Sequence, residues 1–152
     1  MALQGSYIGT IKNNLTEKSA IDFLLATDNR FRRPNVFERK EILRNLNLPL
    51  TYTRAFDIVY LPNPEVTNIL DVSVSEITLI ELKTTQKKLI NNPDGFFFGA
   101  TENEFSLAQT LGIRYMFCFI SLHAESAKYI CLTLDELETR IKRKRIQYQI
   151  NI

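Results

Sequence analysis

Three charged side chains stand where a core-forming strand ordinarily excludes them. The run Ile77-Thr-Leu-Ile-Glu-Leu-Lys-Thr-Thr85 is apolar and rich in β-formers, yet it carries Glu81 and Lys83 two positions apart. Residues i and i+2 of a strand share a face, about 6–7 Å apart. Glu81 and Lys83 therefore point the same way, while Ile80 and Leu82 face the other side as core. Burying a charge is costly unless it is paired or holds an ion. The pair is either a structural ion pair near the end of the strand or half of an active site.

Asp57 poses the same question in Arg54-Ala-Phe-Asp-Ile-Val-Tyr-Leu61. Taken alone it reads as a hydrogen-bonded residue at a strand end. If this strand and the next pair as a hairpin, however, Asp57 faces Glu81 across the ladder at about 5 Å. Two carboxylates that close repel unless a divalent cation or a shared proton lies between them. Two carboxylates, a backbone carbonyl and water make a hard oxygen set suited to Mg2+ or Mn2+. Lys83 beside them could orient, or help deprotonate, an attacking water whose pKa the metal lowers. That chemistry is metal-dependent phosphodiester hydrolysis.

Asp57 followed by Glu81-Leu-Lys83 resembles the PD-(D/E)xK nuclease superfamily, which includes restriction endonucleases, resolvases and repair nucleases. The first half of the motif is Phe56-Asp57 here, in place of Pro-Asp. The stretch "LIELKTT…GFFFGATENEFSLAQTLGIRYMFCFIS" is also similar to a restriction-endonuclease-like domain at the C-terminus of the plant NO VEIN protein and in bacterial defence systems. There a Glu-Val-Lys-Thr-Thr strand precedes a Phe-rich strand, a helix with an Asn-Glu start and a Tyr-containing strand. The resemblance covers residues 54–122. It implies Asp57, Glu81 and the Leu82 carbonyl as metal ligands, Lys83 as the residue serving the water, and DNA as substrate, with RNA open. It implies a further carboxylate from the first helix, for which Glu17 is the candidate and Glu38 on the second helix the rival. Such proteins often form homodimers.

The elements that must position these residues are legible in outline. Asn14-Leu-Thr-Glu17 has the form of a capping box, and Ala20, Ile21, Leu24 and Leu25 follow at helical spacing, predicting a helix over 15–27. Asn35-Val-Phe-Glu38 opens a second helix, to about Leu46, with Phe37, Ile42 and Leu46 inward and Pro49 as its stop. Strands are expected at 54–61 and 76–84, with a short extra strand or wide hairpin around 69–74, and another short strand at Phe96–Phe98. Thr101-Glu-Asn-Glu104 caps a third helix, packed by Phe105, Ala108 and Leu111 and stopped by Gly112. Residues 114–122 and 128–132 read as a β-hairpin. Thr133-Leu-Asp-Glu136 caps a last helix that becomes basic at Arg140–Arg145. The sum is a mixed α/β or α+β domain over 1–152, a central sheet flanked by helices in the restriction-endonuclease-like manner.

Composition narrows the classes without choosing among them. The chain has 152 residues, 45% hydrophobic and 24% charged, with a net charge of +2. So small a net charge announces no nucleic-acid partner, and the distribution of charge must carry that argument. Arg30, Arg32 and Arg33 form one basic cluster around Phe31, and Arg143, Lys144 and Arg145 lie in a second. Each is a candidate for phosphate contact, or a solvated surface and, for the second, a helix end. Thr84 is a further phosphate candidate. His123 reads as a loop residue, and the Phe96–Phe98 run as core. Cys118 and Cys131, in strand-like runs without metal spacing, read as reduced thiols of a cytoplasmic protein, with a single disulfide left open. No apolar run approaches the ~20 residues that span a bilayer, so no membrane is expected. Two further readings compete with a nuclease: a non-catalytic nucleic-acid-binding subunit of a restriction or defence system, and a structural domain.

Overall fold

The computed structural model describes residues 16–152 apart from Ala127. Asn14, the proposed cap of the first helix, lies outside the described residues. Helix α1 covers 16–27, followed by strand β1 (Phe31–Arg32), helix α2 (Val36–Asn45), strand β2 (Ile58–Tyr60) and strand β3 (Thr78–Thr85). Helix α3 (Glu102–Leu111), strands β4 (Tyr115–Ser121) and β5 (Tyr129–Leu132) and the short helix α4 (Leu134–Glu138) follow among the described residues. The strands form one five-stranded mixed sheet in the order β1-β2-β3-β4-β5. All neighbours are antiparallel except β3 and β4, and that parallel pair is joined by α3, because a parallel connection needs a crossover.

The period of two in β3 sorts the core into two layers. Leu79, with Val59 of β2 and Phe117 and Phe119 of β4, packs under α2, α3 and α4. Ile80 and Leu82, with Ile58, Cys118 and Ile120, pack under Ala20, Ile21 and Leu24 of α1. The fold is therefore α+β, a mixed sheet with helices on both faces. Within the first layer the buried hydroxyl of Tyr115 donates to the Ala55 carbonyl at 2.5 Å. This ties β4 to the segment that enters β2.

Three helix starts follow the local rule. Asn35, Thr101 and Thr133 each accept from the backbone N–H three residues on, and Glu38, Glu104 and Glu136 each reach back to the cap. Gly112, with φ of 59°, ends α3 in the left-handed region that favours glycine.

Other expectations are corrected. Helix α2 ends at Asn45 with Leu46 as its cap, close to the expected end, but the stop is not Pro49: Asn47, with φ of 57°, already turns the chain away. Phe37 is 62% exposed, and Leu43 takes the inward position beside Ile42. Residues 50–54 form a 3-10 turn, which shortens the expected strand to Ile58–Tyr60. In place of a strand around 69–74 there are two 3-10 turns, Ile69–Asp71 and Val74–Glu76. Phe96–Phe98 joins no strand. The last helix stops at Glu138, so Arg140–Arg145 lies outside it. Like charges three and four positions apart, as at Arg140, Arg143 and Lys144, would repel on one face of a helix there.

Helix α3 crosses over between the two central strands, so its cap is a test of the fold. The Thr101 hydroxyl accepts from the Glu104 N–H at 3.2 Å. Thr101→Ala should lower the unfolding free energy by about 1 kcal/mol, read as a lower urea midpoint at unchanged slope.

Candidate active site

Strand β3 outruns its neighbour. Pairing between β2 and β3 ends at Ile58–Ile80, whereas β4 accompanies β3 through Thr85. Beyond Ile80 the β2 side of β3 would present unpaired backbone in the interior, which is costly. Asp57 solves this twice. Its N–H donates to the Ile80 carbonyl at 2.8 Å, and its Oδ2 accepts from the Leu82 N–H at 2.8 Å. The residue just before β2 is thereby pinned against the strand carrying Glu81 and Lys83. Arg39 of α2 secures the same point, donating to the Asp57 carbonyl at 3.1 Å while its guanidinium lies 5.8 Å from the Phe56 ring centre. Sequence reading had no cue for Arg39, since its partner is 18 residues away.

Glu81 and Lys83 do share a face, and they are not alone on it. The Lys83 ammonium donates to Glu81 Oε1 at 3.2 Å and also to Glu104 Oε1. Glu104 is only 4% exposed. Its other oxygen accepts from the Thr101 N–H at 2.6 Å, so one carboxylate closes the cap of α3 and grips the lysine of β3. Burial lowers the Lys83 pKa, but Glu81 and Glu104 outweigh it and hold the group above its ordinary value. Burial also raises Glu104, but hydrogen bonding with Glu81, Lys83 and Thr101 brings it net below the usual range.

Glu81 behaves in the opposite way. It is 9% exposed, and burial first, then the charge of Asp57, pushes its carboxyl well above the ordinary range against the pull of Lys83. A hydrogen bond and the charge of Glu104 add to this, and the buried Oε2 accepts no hydrogen bond among the described residues. An orphaned acceptor beside a second carboxylate is a place where a proton or a cation would be favoured.

A cavity of about 550 Å3 opens at this point, lined by Glu17, Asp57, Glu81, Leu82, Lys83, Thr84, Phe97, Phe98 and Gly99. Glu17, at the start of α1, lies against Asp57. Partial burial, then the charge of Asp57 and a hydrogen bond with it, raise its pKa, opposed by Arg33 and Arg39. The rival Glu38 is engaged elsewhere, accepting from the Asn35 N–H at 3.0 Å in the α2 cap. Of the two, Glu17 is the one at the cavity.

The expected phosphate contacts divide. Thr84 lines the cavity, and Arg33 is exposed and close enough to act on Glu17. Arg32 is engaged, donating to the carbonyls of Asn29, Pro64 and Val66 at 2.6–2.7 Å. It is a structural clamp between β1 and the turn region after β2. Arg143, Lys144 and Arg145 are exposed and line no part of the cavity, and Lys144 sits 4.9 Å from the Phe105 ring centre on α3. His123 is a turn residue whose Nδ1 accepts from the Glu125 N–H. Cys118 and Cys131 are free thiols, opposite each other on β4 and β5.

The donor set suits a small hard cation. Asp57 and Glu81 offer carboxylate oxygens, one of them lacking a partner, and Leu82 borders the same cavity. No group of three His, Cys, Asp or Glu side chains is drawn into a ready metal cluster among the described residues. Glu17 lines the cavity but does not complete a three-carboxylate cage with Asp57 and Glu81. No family model, curated protein or solved structure matches the chain. No helix among the described residues is long and apolar enough to cross a membrane.

The two buried glutamates should respond oppositely to substitution. Glu81→Gln removes a buried carboxyl whose raised pKa costs stability at neutral pH, and should raise the melting temperature of the protein in EDTA. Glu104→Ala leaves Lys83 and the Thr101 N–H short of a partner and should cost about 3 kcal/mol or more. Thermal and urea unfolding of the two variants check both signs.

Proposed function

We propose that the chain is a metal-dependent nuclease that hydrolyses phosphodiester bonds in DNA with Mg2+ or Mn2+, through a PD-(D/E)xK-type site on a restriction-endonuclease-like fold. The observation that carries this reading is the orphaned Glu81 Oε2, buried beside Asp57 in a cavity shared with Lys83. A structural ion pair would have no use for an open cavity and an unsatisfied carboxylate oxygen.

A divalent cation held by Asp57, Glu81 and the Leu82 carbonyl would polarise the scissile phosphate and make the attacking water more acidic. The chain's own residues do the rest. Asp57 keeps its position through the Leu82 and Ile80 bonds, so its second oxygen can face the cavity without local rearrangement. Lys83, held charged by Glu81 and Glu104, acts as a donor and not as a base. An ammonium has three donors. Two point to Glu81 and Glu104, and the third serves the water or a phosphoryl oxygen as charge develops there. Thr84, which lines the cavity, and Arg33, whose charge acts on Glu17, would be the contacts to phosphates flanking the scissile bond.

The second reading is a non-catalytic nucleic-acid-binding subunit. It is favoured by the Glu81–Lys83–Glu104 cluster, in which the lysine is already paired without any substrate. Cleavage assays separate the two. The protein should cut plasmid or single-stranded DNA in Mg2+ or Mn2+. Lys83→Ala should lower the rate by about 100- to 1,000-fold, while affinity measured in Ca2+ stays within a few-fold. Binding without cutting in any divalent metal would select the binding subunit. Undiminished cutting by Lys83→Ala would show that the site lies elsewhere.

The exposed basic segment should act on affinity alone. Neutralising Arg143, Lys144 and Arg145 together should weaken binding and flatten the slope of log affinity against log salt by about 2–3. The single-turnover rate at saturating DNA should be nearly unchanged.

A further inference from the structure

Phe96, Phe97 and Phe98 read in sequence as one apolar run, but they have divided roles. Phe96 and Phe98 pack edge-on against Phe119 with ring centres 5.1 and 4.9 Å away, and against each other at 6.2 Å. Phe119 is fully buried and is the ladder partner of Lys83. Between these two anchors Phe97 is 94% exposed, and it lines the cavity that holds Asp57, Glu81 and Lys83. The preceding loop is tethered as well. Leu89 is buried, and the Asn92 amide donates to the Phe119 and Lys128 carbonyls at 3.0 and 3.1 Å. An aromatic ring is thus presented to solvent from a fixed base, at the rim of a polar cleft. Two residues on, Gly99 lines the same cavity and has open space where a side chain would be.

A ligand that suits both halves of this arrangement carries a phosphodiester for the charged groups and a flat apolar face for the ring. That is a nucleotide whose base is not already stacked on both sides. In a duplex interior both faces of each base are covered, so a rim platform of this kind selects single strands, frayed ends or everted bases. We propose that Phe97 is a base-stacking platform, and that the substrate carries unpaired nucleotides next to the phosphate brought to Asp57, Glu81 and Lys83. The proposal rests on the nucleic-acid reading of the site given above.

The chain contains no tryptophan, so Phe97→Trp supplies a single fluorophore at the rim. In Ca2+, a single-stranded oligodeoxynucleotide should quench it saturably. The same oligonucleotide with abasic residues along its central stretch, carrying equal charge, should bind without quenching. A blunt duplex should quench it far less at equal occupancy. Phe97→Ala should weaken single-strand affinity about 5- to 100-fold, the range expected for one lost base–aromatic stack, and leave abasic-strand affinity unchanged. Complex formation without quenching, or equal weakening of normal and abasic strands by Phe97→Ala, would overturn the proposal. Failure to bind any nucleic acid would overturn it together with the nuclease reading. Phe97-dependent binding with no cutting in any divalent metal would sink the nuclease reading alone and leave the platform standing.

Discussion

The Leu82 N–H is the point on which the arrangement depends. Where β2 stops and β3 continues, a buried backbone donor needs an acceptor, and Asp57 Oδ2 is the one it has. A water or another side chain there would serve stability equally well. A carboxylate does more, because it brings negative charge beside Glu81 and leaves both groups facing a cavity at the spot where the pairing of β2 with β3 has ended. The same unfinished edge thus sets the position of the acids and the opening through which a ligand reaches them. Arg39 and Tyr115 reinforce it by holding the carbonyls of Asp57 and Ala55.

Charge on the two sides of Glu81 is handled differently. Toward Lys83 and Glu104 the interactions are closed, since both groups are bonded and the cap of α3 shares in the network. Toward Asp57 they are open, with two carboxyl groups close and one oxygen of Glu81 accepting no hydrogen bond among the described residues. Closed interactions fix geometry, whereas open ones leave free energy for a cation or proton to supply. Strand β3 carries both kinds within three residues, which is how a rigid element can hold a group poised for a ligand.

Much of the local structure was legible because its causes are local. Capping boxes at Asn35, Thr101 and Thr133 act over three residues, and Gly112 ends α3 through its own φ. The alternation in β3 separated Glu81 and Lys83 from Ile80 and Leu82, and the two cores divide along that line. The same local rules misled where tertiary packing decided the outcome. Phe37 fits an apolar helical stripe but faces solvent, and Arg32 looks like free charge but clamps three carbonyls.

By itself, then, the sequence determined which residues lie on the charged face of β3, where three helices begin, and that an acid stands in the apolar run that forms β2 and its lead-in. Each follows from backbone periodicity or from hydrogen bonds spanning a few positions. Only the tertiary structure decided that Asp57 meets the Leu82 amide 25 residues on, that Glu104 of a helix cap grips Lys83 across 21 residues, and that Glu17 stands at the cavity while Glu38 closes a cap. It also decided that, of three consecutive phenylalanines, the middle one faces the cleft. Such contacts depend on where β2 stops relative to β3 and on how the loop before α3 is anchored. Side-chain type carries no record of those distances, because the same residues satisfy local rules equally well with other partners.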